Sequence, residues 1–281
     1  MKGHNVAPRL LAVIGRQRSG SSVLRHFIGS STRSRDLGEV FHGLTDRKMS
    51  FWGFLHTRAS ADAVYRYPGN WILAWQEFIE QQSDELARQV LSFDVKKEYF
   101  QLVLRTNGAE ADFFFASPET KFIHLRRRNT AAQVISRHIA AATNVWSRPD
   151  PAGDVERLSW YSGLRGAPPP PRSVPDLTID PAALLREVEA IHEEDRGIEE
   201  LVGHKFSLRL DYEDLFDESG NFAAAVTAQI SGITGIDETE FQRRPLLLRQ
   251  RKMGVLDGIA NAADIVAAFR RTKHEWMLTQ Q

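Results

Sequence analysis

Residues 10–29, LLAVIGRQRSGSSVLRHFIG, decide how this chain is to be read. An apolar run, Leu10-Leu11-Ala12-Val13-Ile14, has the length of a buried strand and stops at Gly15. A short polar loop follows, Arg16-Gln17-Arg18-Ser19-Gly20. Ser21-Ser22 then opens a segment with Val23, Leu24, Phe27 and Ile28 at helical spacing. Strand, glycine-bounded loop and helix start together form the geometry that cradles a phosphate. Loop N–H groups converge on the anion, and the helix dipole adds partial positive charge. The candidate anion ligands are therefore Arg16, Gln17, Arg18, Ser19, Gly20, Ser21 and Ser22. A plain strand–turn–helix is the alternative.

The loop nearly matches the nucleotide-triphosphate signature of Gly, four residues, Gly, Lys, then Ser or Thr. Gly15 and Gly20 have the spacing, and Ser22 stands at the hydroxyl position. Ser21 stands where the lysine should be, and the cation lies inside the loop instead, at Arg18. Such a loop holds a phosphate without the usual lysine on the β/γ-phosphates.

Residues 121–146, KFIHLRRRNTAAQVISRHIAAATNVW, carry a second pattern. Phe122, Ile123 and Leu125 read as a buried strand ending in three arginines. Asn129 or Thr130 can cap a helix, and Ala132, Ile135, Ile139 and Ala142 give it an apolar face. Arg128 lies at the strand end and Ser136 eight residues later, two turns into the helix. A planar guanidinium and a hydroxyl so placed can grip one phosphate from two sides. A solvated basic strand end is the bland alternative.

The two blocks, R-S-G-S-S after the first strand and Arg128 with Ser136 after the later one, resemble sulfotransferases that use 3′-phosphoadenosine 5′-phosphosulfate (PAPS). The likeness is to the lipopolysaccharide- and trehalose-type bacterial branch, which favours Arg where Arg18 stands. Ala142-Thr143 and Trp146 resemble that branch more loosely. The resemblance implies a phosphate-loop sulfotransferase fold. It implies that residues 16–22 hold the 5′-phosphosulfate, that Arg128 and Ser136 hold the 3′-phosphate, and that Arg18 stabilises the leaving phosphate. PAPS is the implied co-substrate, with no metal required. A Gly-Glu element after the first helix supplies the general base in that branch, which implies the role for Glu39 in Asp36-Leu37-Gly38-Glu39. A solvated loop carboxylate is the alternative for Glu39, and His42 and His138 are rival bases. Relatives also close over the 3′-phosphate with a basic C-terminal loop. Arg251 and Lys252 match that loop loosely, because Met253 interrupts the order. Tyr212-Glu213-Asp214-Leu215 resembles a family element that anchors the fold. Dimers occur in the family, which leaves a homodimer open.

Composition narrows the partners. The 281 residues include 36 basic and 36 acidic side chains, for a formal net charge of +0. Local basic clusters in a neutral chain suit a small anionic ligand better than nucleic acid. The chain has no cysteine, so disulfides, cysteine-held zinc and thiol nucleophiles are excluded. No apolar run approaches the ~18 residues of a membrane span, and the N-terminus reaches Gly15 and arginines too early for a signal peptide. A cytoplasmic protein is the expectation.

Strands alternating with helices predict an α/β fold, a parallel central sheet flanked by helices, as one domain over residues 1–281. Phe93-Asp94-Val95-Lys96 reads as a short alternating strand, with Lys96 at the surface or, as the alternative, pointing into the cleft. Residues 206–210 read as a strand, and residues 181–197, 222–230 and 262–276 as helices. Trp71, Trp75 and Phe78 fit one helix face and read as core, while exposed aromatics of residues 48–80 would line an acceptor cleft. Residues 165–175, RGAPPPPRSVP, are a surface loop, since Pro lacks a donor and fixes φ. The resemblance implies a hydroxyl acceptor and leaves carbohydrate, glycolipid and small-molecule hydroxyls open, with the branch favouring carbohydrate. Two competing functions are a phosphate-loop kinase or NTPase, with Asp211 as the metal-side acid, and a nucleotide-binding pseudoenzyme.

Overall fold

A computed structural model of the chain describes residues 8–41, 50–58, 71–84, 89–96, 120–143, 177–245 and 254–279. Five strands form one all-parallel sheet: β1 (Arg9–Gly15), β2 (Ser34–Asp36), β3 (Val90–Lys96), β4 (Thr120–Arg126) and β5 (Phe206–Asp211). Their order across the sheet is β2-β3-β1-β4-β5. The chain leaves central β1, builds β2 and β3 on one side, then crosses to β4 and β5 on the other. The carboxyl end of β1 is therefore the switch point, where open parallel sheets place their ligand crevice.

The alternation of β1 explains its central place. Leu11 and Val13 face a cluster with Leu24, Phe27, Ile123 and Leu125, while Ala12 and Ile14 face one with Phe78, Phe93 and Val95. A strand buried on both faces reads as a continuous apolar run, as residues 10–14 do. Helices α1 (Ser21–Ile28), α2 (Phe51–Arg58), α3 (Trp71–Asp84) and α4 (Thr130–Thr143) follow in chain order. After them come α5 (Pro181–Val202), α6 (Ala224–Thr234), α7 (Ala262–Phe269) and α8 (Trp276–Thr279).

Several expectations change in detail. Edge strand β2 lacks an apolar run, and only its pairing with β3 defines it. The helix expected over residues 181–197 continues through Gly197 to Val202, because Ile198 is buried and keeps the face in register. Helix α6 starts at Ala224, since Phe222 is used in a bridge to Phe216. The helix expected over residues 262–276 is broken: Arg271 adopts a left-handed φ of 69°, and the Thr272 hydroxyl donates to the Phe269 carbonyl at 2.7 Å. That side-chain bond replaces the next helical one.

Trp75, Phe78, Phe51 and Phe54 pack against one another and are buried. These four are core rather than acceptor platform. The proline-rich residues 165–175, and with them His42, Trp146, Arg251 and Lys252, lie outside the described residues.

Candidate active site

The loop after β1 is built as its residue types require. Arg18 and Gly20 both have positive φ, 65° and 94°. Gly20 is the residue before α1, and no side chain caps that helix. The first N–H groups of α1 thus lack a side-chain acceptor, the feature that makes helix starts receptive to anions. A Cβ on Gly20 would stand 2.3 Å from Cδ2 of Tyr212, so the Tyr212 ring lies directly against the loop backbone. Ser19 is buried, and its Oγ has no hydrogen-bond partner among the described residues.

Four contacts box the loop in. Gln133 on α4 donates from Nε2 to the Gln17 carbonyl at 2.8 Å. Arg16 pairs with Glu194 on α5. Arg127, just past β4, donates to the Arg18 carbonyl at 3.4 Å and lies 4.9 Å from the centroid of the Tyr212 ring. Arg18 itself donates from Nε and Nη2 to Ser136 Oγ at 3.1 and 3.0 Å, across 118 positions of sequence. Burial, and then the neighbouring Arg127 charge, pull the Arg18 pKa down to about 10. Two guanidiniums crowded in this way gain from a bound anion.

The second grip is arranged differently from the sequence expectation. Ser136 is engaged by Arg18, whereas Arg128 is half-exposed and turned toward the acids after β5. Arg128 donates to both carboxylate oxygens of Asp214, at 2.9 and 2.7 Å, and lies 3.5 Å from Asp211. Glu213 accepts from the N–H groups of Arg128 and Asn129 at 3.0 and 3.1 Å, which fixes the start of α4. The Tyr-Glu-Asp element thus sets the positions of both Gly20 and Arg128.

On the other side of the loop is a buried charge network. Ser21 Oγ donates to Asp94 Oδ2 at 2.6 Å. Lys96 Nζ donates to Ser21 Oγ at 2.6 Å and to Asp94 Oδ2 at 2.7 Å. Lys96 is only 5% exposed, which corrects the surface reading. Its strand pairs directly with β1, Lys96 opposite Gly15, so the side chain arises at the loop's base. Arg25 on α1 pairs with Asp36 at 2.5 Å and approaches Asp94 at 3.5 Å. Arg25 also reaches Ser22 Oγ at 3.4 Å.

Glu39 joins this network through charge. The backbone around it is anchored, since the Gly38 carbonyl accepts from Asp94 N–H at 2.9 Å. Burial opposes the Arg25 charge, yet Asp36, Asp94 and Glu39 together raise its pKa above the usual value. Glu39 is half-buried beside these groups, at the carboxyl end of the sheet. His138 is instead held by Glu187 on α5, at 3.2 Å.

Burial would push the Asp36 carboxyl up, but Arg25, His26 and the Gly38 N–H bring it down to about 2 from an ordinary 3.8. A depressed carboxylate stabilises the fold fully above its unfolded value and loses that contribution as pH falls through the folded one. Chemical denaturation between about pH 4 and pH 2 is therefore expected to show falling stability, by roughly 2 kcal/mol from this group. Asp36→Asn is expected to be less stable at neutral pH and to show a shallower slope over that window. An unchanged slope would contradict the assignment.

The sequence did not single out Asp94, offered Lys96 the cleft only as an alternative to the surface, and pointed to neither Arg25 nor Tyr212 as site residues. The signal for the first two was their place at the end of an alternating strand, which gains meaning only once that strand pairs with β1. Among the described residues no group of three or more His, Cys, Asp or Glu could hold a metal ion, and no helix is long and apolar enough to cross a membrane. Compared with known families and with curated sequences, the chain matches no family model and no curated protein.

Proposed function

We propose that this protein is a PAPS-dependent sulfotransferase that moves a sulfuryl group to a hydroxyl of a carbohydrate, glycolipid or small-molecule acceptor. The observation that carries this reading is the contact of Arg18 with Ser136, which joins two phosphate-type motifs at the sheet's switch point. The uncapped start of α1, the unpartnered Ser19 hydroxyl and the crowded Arg18 and Arg127 suit the phosphosulfate end of the donor. Ser136 and Arg128 would take the 3′-phosphate, with Arg128 exchanging an exposed carboxylate partner for the ligand.

In the reaction the acceptor oxygen attacks sulfur in line, and the bond from sulfur to the 5′-phosphate oxygen breaks. Glu39 takes the acceptor proton, and 3′,5′-ADP leaves. Charge grows on the departing phosphate oxygen, where Arg18, Lys96 and the loop N–H groups stabilise it. Each charged hydrogen bond to that oxygen is worth roughly 1.5–3 kcal/mol, or about tenfold to a hundredfold in rate. A cytoplasmic location and a homodimer belong to the same proposal.

The competing NTPase reading finds a strand-end acid in Asp94, but the hydroxyl that Asp94 accepts from is Ser21, at the lysine position, and not Ser22, at the metal-side one. Thermal unfolding separates the two. On the sulfotransferase reading 3′,5′-ADP raises the melting temperature in EDTA, and ATP with Mg2+ does not. Stabilisation by ATP with Mg2+ alone would contradict it.

A further inference from the structure

Residues 270–279 pack against the start of α4, next to Arg128. The chain turns at Arg271 and holds the turn locally. The Thr272 hydroxyl accepts from the His274 N–H at 3.2 Å, and the Glu275 carboxylate accepts from the Arg271 N–H at 3.1 Å. Beyond the turn Met277 is buried in the cluster that includes Ala131, Val134 and Ile191. Asn129 binds in two directions. Its Oδ1 accepts from the Ala132 N–H at 2.9 Å and caps α4, while its Nδ2 donates to the Met277 carbonyl at 2.7 Å. The Thr130 hydroxyl reaches Met277 Sδ at 3.3 Å and His192 Nε2, on α5, at 3.2 Å. The His192 ring lies nearly parallel to that of His274, with centroids 5.2 Å apart and planes inclined by 9°.

We propose that the two stacked histidines are a proton-operated latch that holds residues 270–279 on the start of α4 at neutral pH and releases them on acidification, which loosens the segment carrying Arg128. The latch rests on these contacts, and only its effect on the donor rests on the function proposed above. One imidazolium is accommodated. His274 Nε2 lies 2.8 Å from one oxygen of Glu189, and Lys273 donates to the other at 3.2 Å. A second charge, on His192, would face His274 and Lys273 from this segment. From its own helix it would face Glu189, already engaged by those two, and Asp195, whose own carboxyl burial pushes up. From α4 it meets the uncharged Thr130. Burial, and then the His274 charge, hold the His192 pKa below its ordinary 6.5 in spite of the acids. A histidine so depressed stabilises the docked form fully above 6.5, and that stability falls as pH drops below it.

Hydrogen exchange read by mass spectrometry tests this without a ligand. The unaltered protein is compared at about pH 7.5 and about pH 5.5, across the range where histidine changes charge, with rates corrected for the intrinsic pH dependence of amide exchange. Protection of residues 270–279 and of the first turn of α4 should fall together at the lower pH. The fall should be several-fold, with about tenfold the ceiling for one proton over one pH unit. Strand β1 should keep its protection. His192→Gln, which does not titrate, should abolish the fall, and His274→Gln, which removes the facing charge, should shrink it. Saturating 3′,5′-ADP should restore protection to both segments at the lower pH, because coupling between sites is reciprocal.

Protection that ignores pH in the unaltered protein, an undiminished fall in His192→Gln or in His274→Gln, or loss in residues 270–279 without loss at the start of α4 would each overturn the proposal. An equal loss in β1 would place the change in the whole fold and overturn it as well. 3′,5′-ADP that binds without adding protection would overturn the coupling to Arg128. Failure of 3′,5′-ADP to bind at neutral pH would instead remove the sulfotransferase reading and leave the latch standing on the ligand-free readings. If His192→Gln does not fold, His274→Gln and the unaltered protein decide the matter.

Discussion

Glu39→Gln is expected to abolish sulfuryl transfer while leaving donor binding almost untouched. A positioned general base contributes about a hundredfold to ten-thousandfold, so kcat should fall by that factor with any acceptor a labelled-sulfate screen identifies. The affinity for 3′,5′-ADP should stay within about twofold, since the side chain keeps its shape and makes no ligand contact in this reading. The geometry makes the separation sharp. Glu39 sits beyond β2, beside Arg25, whereas the phosphate-holding loop begins at the end of β1. Near-normal kcat would remove Glu39 from the mechanism. His138 would then be tested next, although its pairing with Glu187 already engages the ring Nε2.

Gly20→Ala is expected to damage both the fold and the anion site. Gly20 has φ 94°, and a Cβ there would meet Tyr212 at 2.3 and 2.7 Å. The left-handed backbone and the overpacking together cost about 2–4 kcal/mol, because the obstacle is a ring rather than a flexible tip. Equilibrium denaturation should show that loss, and 3′,5′-ADP affinity should drop by more than about tenfold as the loop shifts. Tyr212→Ala added to Gly20→Ala should recover the overpacking part and leave the backbone part. A Gly20→Ala protein with unchanged stability would contradict the close packing of Tyr212 on the loop.

Some of this was legible in the sequence, and the physical reason differs from element to element. The unit formed by β1, its loop and α1 was readable because strand periodicity, two glycines and helical spacing are local signals. The step from β4 to α4 was readable for the same reason, as was Pro181 at the start of α5. Strand β2 was not, because Ser34–Asp36 has no apolar pattern and exists through pairing with β3. The break before α8 depends on one left-handed arginine and one hydroxyl bond, which residue types alone do not announce.

The site divides along the same line. Residues 16–22, Arg128 and Ser136 stood out by spacing. Which of them touch was set by the tertiary fold, which gives Ser136 to Arg18 and Arg128 to Asp214. The cluster of Arg25, Asp36, Asp94 and Lys96 was hidden because its members come from three separate segments, brought together by parallel pairing.

The most direct measurement is a crystal structure with 3′,5′-ADP bound. The account predicts its 5′-phosphate on the N–H groups around Gly20 and Ser21, and its 3′-phosphate on Ser136 and Arg128, with Asp214 released from Arg128. A 3′-phosphate bound away from Ser136 and Arg128, or a 5′-phosphate outside the loop, would contradict it.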